Sequence, residues 1–301
     1  MPPWFPIGET AALLTAACFA GSVVFFTQAG RRIGSLTLNP IRLVMGFVYL
    51  TVYGALVRGT PLPTDASLHA WSWLTLSGVV GLFLGDLFLF RAFLEIGPRL
   101  SALIMSLAPI FAALVGLAFL NERLGWISIL GMALTLGGVA LAIVDKGTQK
   151  NDPVRVTARG ILLAVLGALG QAVGLVLSKK GMGSYDAFAA TQVRIVGAIA
   201  AFAILFVGLR RLGDIRRALQ DRVAMRMLAF GALAGPFLGV GLSLLSVQYI
   251  DTGVAASLMA TTPILIIPWA WWHDGDRPGW RGFAGTLVAV AGVVVLVTRA
   301  S

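Results

Sequence analysis

Charge is scarce in this sequence. Asp, Glu, Lys and Arg supply 12% of its 301 residues and apolar side chains 58%, whereas a soluble domain is about a quarter charged. A soluble chain of this length would give each helix a wet face, and the polar residues needed for that are missing. Cysteine is rarer still. Cys18 stands alone in an apolar run, which excludes intrachain disulfides and cysteine-based metal clusters. His69 and His273 are isolated from each other and lie at the ends of apolar runs, so no metal site is expected. A Gly-x-x-x-x-Gly-Lys-Ser/Thr phosphate loop is absent from the sequence, so no P-loop ATP hydrolysis is expected of this chain. No Gly-x-Ser-x-Gly elbow occurs either, and with both histidines peripheral a serine-hydrolase reading is weak. No cofactor is implied. The opening Met1 to Gly8 lacks Lys and Arg and leads into a long apolar run, so no cleavable signal peptide is expected and the first helix is retained.

Apolar runs of about 20 residues recur along the chain, each long enough to cross roughly 30 Å of hydrocarbon. With Gly, Pro and charge as breakers, they place ten transmembrane helices at 8–29, 38–57, 69–95, 99–120, 125–144, 157–178, 185–209, 224–248, 252–272 and 279–298. The longest connections, around Lys146 to Arg159 and Arg210 to Arg226, are basic and polar and leave no room for a soluble domain. The net charge of +10 sits in such connections rather than on a folded face, so nucleic acid is not an expected partner. The lipid bilayer is.

Residues 81–144 align without a gap on 235–298, at a constant offset of 154, and 15 of the 64 pairs are identical. The identities include Gly81 with Gly235, Gly85 with Gly239, Met105 with Met259, Pro109 with Pro263, Arg123 with Arg277, Gly125 with Gly279 and Trp126 with Trp280. Biased composition matches glycines and leucines by chance, but not Met, Pro and Arg-x-Gly-Trp in one register. Duplication is the better explanation. Gly21 matches Gly170, and Arg42-Leu-Val matches Arg194-Ile-Val, after a short length change. The expected halves are therefore 1–148 and 149–301. Because five is odd, the second half would enter the membrane from the opposite side, giving an inverted repeat of the kind found in secondary transporters.

These residues also resemble the EamA-type family of the drug/metabolite transporter superfamily. The resemblance rests on the duplicated five-helix unit, a Pro-containing helix before the acidic turn Asn121-Glu122-Arg123-Leu124-Gly125, and the Gly-rich helix that follows with Gly131, Gly137 and Gly138. The second copy departs from the pattern with Asp276 at the turn acid and an extra Pro268. The resemblance implies export of amino acids or related metabolites by a carrier of the plasma (bacterial inner) membrane.

Lys and Arg in short loops are retained on the cytoplasmic side. Fifteen fall in odd-numbered loops and five, Arg58, Arg123, Lys179, Lys180 and Arg299, on the other face. The count places odd-numbered loops in the cytoplasm and both termini outside, while the resembled family is often described the other way round.

Candidate site residues follow from polarity at membrane depth. Pro109 and Pro263 interrupt the fourth and ninth helices and free the carbonyls of Met105 and Met259, a gate or hinge with Ser101, Ser106, Thr261 and Thr262 facing a central cavity. A tolerated kink is the plainer reading, and symmetric placement favours the gate. Asp86 lies deep in the third helix, where an unpaired charge costs about 3 kcal/mol, and its duplicate position is Val240. It is a candidate for binding a substrate ammonium or a coupling proton, or for a structural pair with Arg42. Arg42 and Arg194 are matched in the repeat, which suits an architectural role, with a substrate carboxylate as the alternative ligand of their guanidinium forks. Ser22 and Gln171 are matched polar positions that either line the cavity or join helices. The Gly-x-x-x-Gly pairs at Gly81, Gly170 and Gly235 read as packing, and Trp71, Trp73, Trp269, Trp271 and Trp272 as interfacial anchors. The competing classes are an intramembrane aspartyl protease using Asp86 and Asp186, and a channel or sensor. The sequence favours a non-enzymatic carrier of a small molecule.

Overall fold

The structure, a computed structural model, describes residues 6–145, 157–265 and 280–298. Every regular element among them is helical: α1 (Ile7–Ile33), α2 (Ser35–Tyr53), α3 (Leu68–Ser77), α4 (Asp86–Met105), α5 (Ala108–Leu120), α6 (Trp126–Asp145), α7 (Ala158–Met182), α8 (Ala187–Gly208), α9 (Leu212–Gln220), α10 (Arg222–Ala232), α11 (Val240–Tyr249), α12 (Thr252–Met259) and α13 (Trp280–Thr298). Segments of π-helix, Gly54–Arg58, Gly78–Gly85 and Leu233–Gly239, extend α2, join α3 to α4 and join α10 to α11. Side-chain caps start helices where the chain leaves a loop: Ser67 accepts from Ala70 N, Thr157 from Gly160 N and Asp186 from Ala189 N, each satisfying an otherwise orphan donor.

Among the described residues eight helical segments are long and apolar enough to cross a membrane, and two shorter apolar ones cover Trp126–Ala142 and Thr252–Leu265. Their outward faces carry Val44, Val48 and Val52 on α2, Leu114 and Leu117 on α5, and Val290 and Val294 on α13, all exposed. Only hydrocarbon accommodates such a surface without an aggregation penalty. The protein is an integral membrane protein.

Several expected boundaries move. A loop expected at 30–37 shrinks to Gly34, whose φ of 80° is open to glycine at no steric cost. Arg31 and Arg32 instead occupy the last turn of α1, where the helix dipole favours cations. The break expected near Gly97-Pro98 is absent: α4 continues to Met105, and the chain turns at Ser106-Leu107. Pro109 therefore stands in the first turn of α5, where no intrahelical N–H bond is needed, rather than in a helix interior. The same break recurs 154 residues later, with α12 ending at Met259 and helix resuming from Thr262, beside Pro263. The basic connection after α8 contains α9, with Arg216 and Arg217 exposed and Ala218 buried. Lys146, Lys150, Arg155, Pro268, Trp269, Trp271, Trp272, His273, Asp276, Arg277, Gly279 and Arg299 lie outside the described residues.

The two copies interlock. α1 runs along α10, α11 and α12, and α7 runs along α3, α4 and α5, so each half's first helix packs on the other half. The closest pairing is α6 with α13. A Cβ on Gly285 would lie 2.6 Å from Ala142 N, and one on Gly131 would lie 2.8 Å from the Leu296 side chain, so glycines let these backbones touch. Ion pairs sort the ends onto two faces. Arg58 with Asp65 and Lys179 with Glu122 lie on one, and Arg32 with Asp221 and Arg159 with Glu95 on the other.

Candidate functional site

The site is built on the π segment Gly78–Gly85. A π turn shifts the helical register and is often found at functional positions. Here it has no side chains to push α7 away: a Cβ on Gly174 would lie 2.7 Å from Gly81 Cα, and one on Gly170 3.0 Å from Gly85 Cα. That close approach brings Gln171, next to Gly170, against the helix. Its Nε2 donates to Asp86 Oδ1 at 2.8 Å and to the Gly81 carbonyl at 3.3 Å.

Asp86 opens α4 with 6% of its surface exposed. Its other oxygen, Oδ2, takes an ion pair from Arg42 on α2. The Arg42 guanidinium also lies 5.2 Å from the centroid of the Phe26 ring on α1, a cation–π contact. Arg194 on α8 is 3% exposed and within electrostatic reach of Asp86. The structure therefore gathers Asp86, Arg42, Gln171 and Arg194, from four helices of both halves. The pairing with Arg42 offsets part of the cost of burying Asp86.

The other expected site residues stay apart from this cluster. Ser22 Oγ donates to Phe19 O at 2.9 Å, Ser106 Oγ to Leu103 O at 2.6 Å, Thr261 Oγ1 to Leu258 O at 2.7 Å and Thr262 Oγ1 to Met259 O at 2.7 Å. Each of these hydroxyls bonds back to the carbonyl three residues earlier, and Thr262 Oγ1 also reaches Ala16 O on α1 at 3.4 Å. Ser101 is fully buried on α4. Met105 and Met259 are the last residues before the two matched breaks, and Pro109 and Pro263 follow them. Around the π segment of the second half, aromatic rings and the Ser22 hydroxyl, 3.3 Å from where a Cβ on Gly235 would lie, stand in place of a charged cluster. Phe26 meets Gly231 and Gly235, and Phe19 meets Gly239.

Asp186 caps α8 and lies 3.8 Å from Arg58 at a membrane face, while Asp86 is held by Arg42 and Gln171. The two carboxylates do not share a site, as an aspartyl protease would require. On that same face Tyr185 donates to Asp65 Oδ1 at 2.8 Å, and burial, followed by that bond, pushes the phenol up to about 12.

A second polar cluster escaped the sequence reading. Glu122, 9% exposed, accepts from Lys179 Nζ at 2.8 Å, from Thr252 N at 3.0 Å and from Thr252 Oγ1 at 2.6 Å. Lys179 also donates to Ile250 O at 2.7 Å. This knot ties the loop after α5 to α7 and to the start of α12, across the two halves. Its signal in the sequence was the acid of the Asn121–Gly125 turn together with lysines at a helix end on the sparsely basic face.

Residues 6–144 and 158–298 each match the model of the EamA-like transporter family. An uncharacterized transporter of Bacillus subtilis (strain 168), YcbK, is 26% identical over 147 residues, 48% of this chain and 46% of that protein. The match thus spans about half the length of the curated relative. A solved crystal structure superposes with a TM-score of 0.73 at 17% identity, covering 97% of each chain, a likeness of fold alone. The double match reproduces the internal repeat and takes in the three π segments and both proline breaks, and the chain belongs to the EamA-like transporter family.

Proposed function

We propose that this chain is a secondary or facilitative transporter that exports small metabolites, amino acids foremost, by alternating access. Ten helices form two inverted five-helix halves, 1–148 and 149–301, in a plasma (bacterial inner) membrane, with odd-numbered loops in the cytoplasm. The observation that carries this reading is the Arg42–Asp86–Gln171–Arg194 cluster, with Asp86 and Arg194 buried, contributed by both halves at membrane depth. Charges there are functional by default, and a site shared by two repeats suits a rocking mechanism. The matched breaks at Ser106-Leu107 and Ala260-Thr261 act as hinges, with Met105, Pro109, Met259 and Pro263 as gate residues. Ser22, Ser101, Ser106, Thr261 and Thr262 line the route when the halves separate. Protons couple through Asp86.

The test uses purified protein in liposomes loaded with labelled amino acids, with efflux followed with and without a pH gradient. Selective, saturable and gradient-driven efflux supports the reading. Flux that never saturates indicates a channel, and no efflux of any amino acid removes that substrate class.

A further inference from the structure

Arg194 lacks a partner that matches its charge. It is 3% exposed, and its Nε, like that of Arg42, has no hydrogen-bond partner. Among the described residues the acid within electrostatic reach is Asp86, and both oxygens of that carboxylate are taken, by Arg42 and by Gln171. The repeat explains the deficit. Arg42 and Arg194 occupy matched positions, but Asp86 is matched by Val240, itself 8% exposed. The first half supplies a guanidinium with its carboxylate, and the second a guanidinium alone.

The cluster thus holds two guanidinium groups against one carboxylate, inside a membrane protein where an uncompensated ion is costly. A ligand bearing one anionic group restores the balance. One terminal nitrogen of Arg194 packs closely against the glycine face of the π segment, where a Cβ on Gly81 would lie 3.1 Å away. A guanidinium fork matches a carboxylate with two parallel hydrogen bonds.

We propose that Arg194 anchors the substrate's carboxylate, and that Asp86 is not an ammonium site but the counter-charge that holds Arg42. The proposal rests on the transport reading and narrows its substrate class to carboxylates. The amino group of an amino acid is dispensable for recognition, and the carboxylate is not.

The experiment compares three ligand sets on the purified full-length protein: amino acids, their carboxamides, and the corresponding carboxylic acids that lack the amino group. Binding is read as a rise in Tm in detergent, and transport as inhibition of counterflow in liposomes. Amino acids and the amine-free acids should both raise Tm and compete, with carboxamides weaker by about tenfold or more, the loss expected for a charge-assisted hydrogen bond. Arg194→Gln should abolish the carboxylate-induced shift, and Arg194→Lys should retain part of it. Carboxamides equal to amino acids, or Arg194→Gln binding like wild type, would overturn the proposal. If Arg194→Gln does not fold, the ligand series on wild-type protein decides alone. Saturable flux indifferent to the carboxylate removes the anchor and keeps the transporter. Carboxylate-selective Tm shifts without flux do the reverse. No shift from any set overturns the anchor.

Discussion

The ion pair between Asp86 and Arg42 is where single substitutions should speak most clearly. Asp86→Asn leaves Arg42 and Arg194 buried without a counter-charge. Breaking a buried pair from one side costs about 3–5 kcal/mol, so the variant should unfold at clearly lower temperature in detergent. Asp86→Asn combined with Arg42→Gln should recover part of that loss, because one orphaned charge is gone. A double variant no more stable than the single would mean that the pair contributes little. The four residues of this cluster were legible in the sequence because polar groups inside an apolar run stand out. Their mutual contacts were not, since Gln171 and Asp86 are 85 positions apart and only the Gly–Gly approach of α7 brings them together. The serine and threonine hydroxyls are the opposite case. A hydroxyl in a membrane helix looks available, but the carbonyl three residues back satisfies it first.

Glycine positions and helix breaks set the behaviour of the elements. A Cβ on Gly174 would press on Gly81 Cα at 2.7 Å, backbone against backbone, whereas one on Gly137 meets nothing within 4 Å. Gly174→Ala should therefore cost about 1–3 kcal/mol by overpacking and lower Tm. Gly137→Ala should be neutral or slightly stabilising, through alanine's better helix propensity. The Gly-x-x-x-Gly pattern announced the first effect. The π segments were not announced, because periodicity averages over a turn and cannot register one extra residue. The two prolines were legible and their position was misjudged: they begin helices after a break instead of kinking a continuous one. If those breaks are hinges, Pro109→Ala with Pro263→Ala lets the helices fuse. Turnover in liposomes should then fall while ligand-induced stabilisation persists. Unchanged turnover would remove the hinge role.

At the scale of the whole molecule, the two halves are joined by swapped first helices, by the α6–α13 pairing and by the knot of Glu122, Lys179 and Thr252 on one face. Neither of the first two contacts was read from the sequence, since a repeat identifies matched positions and not which helices meet. The knot has partners 57 and 130 residues from Glu122, and in the sequence each member passes for an ordinary loop charge. It closes one end of the interface between the halves. Lys179→Met should loosen it. With Cys18 replaced by Ala, a cysteine at the buried Ala112 position, whose carbonyl accepts from Thr252, should react with a thiol reagent about tenfold faster or more, in proportion to the lost charged hydrogen bond. An unchanged rate would show that the packing of α5 on α12 closes that end without the ion pair. The central claim is that substrate passes between the halves by way of the buried charged cluster. Its most direct test is saturable amino-acid efflux from liposomes bearing equal amounts of correctly inserted wild-type or Asp86→Asn protein. Saturable wild-type efflux that Asp86→Asn abolishes is the expected result, and efflux of equal rate and affinity from both proteins would contradict the claim.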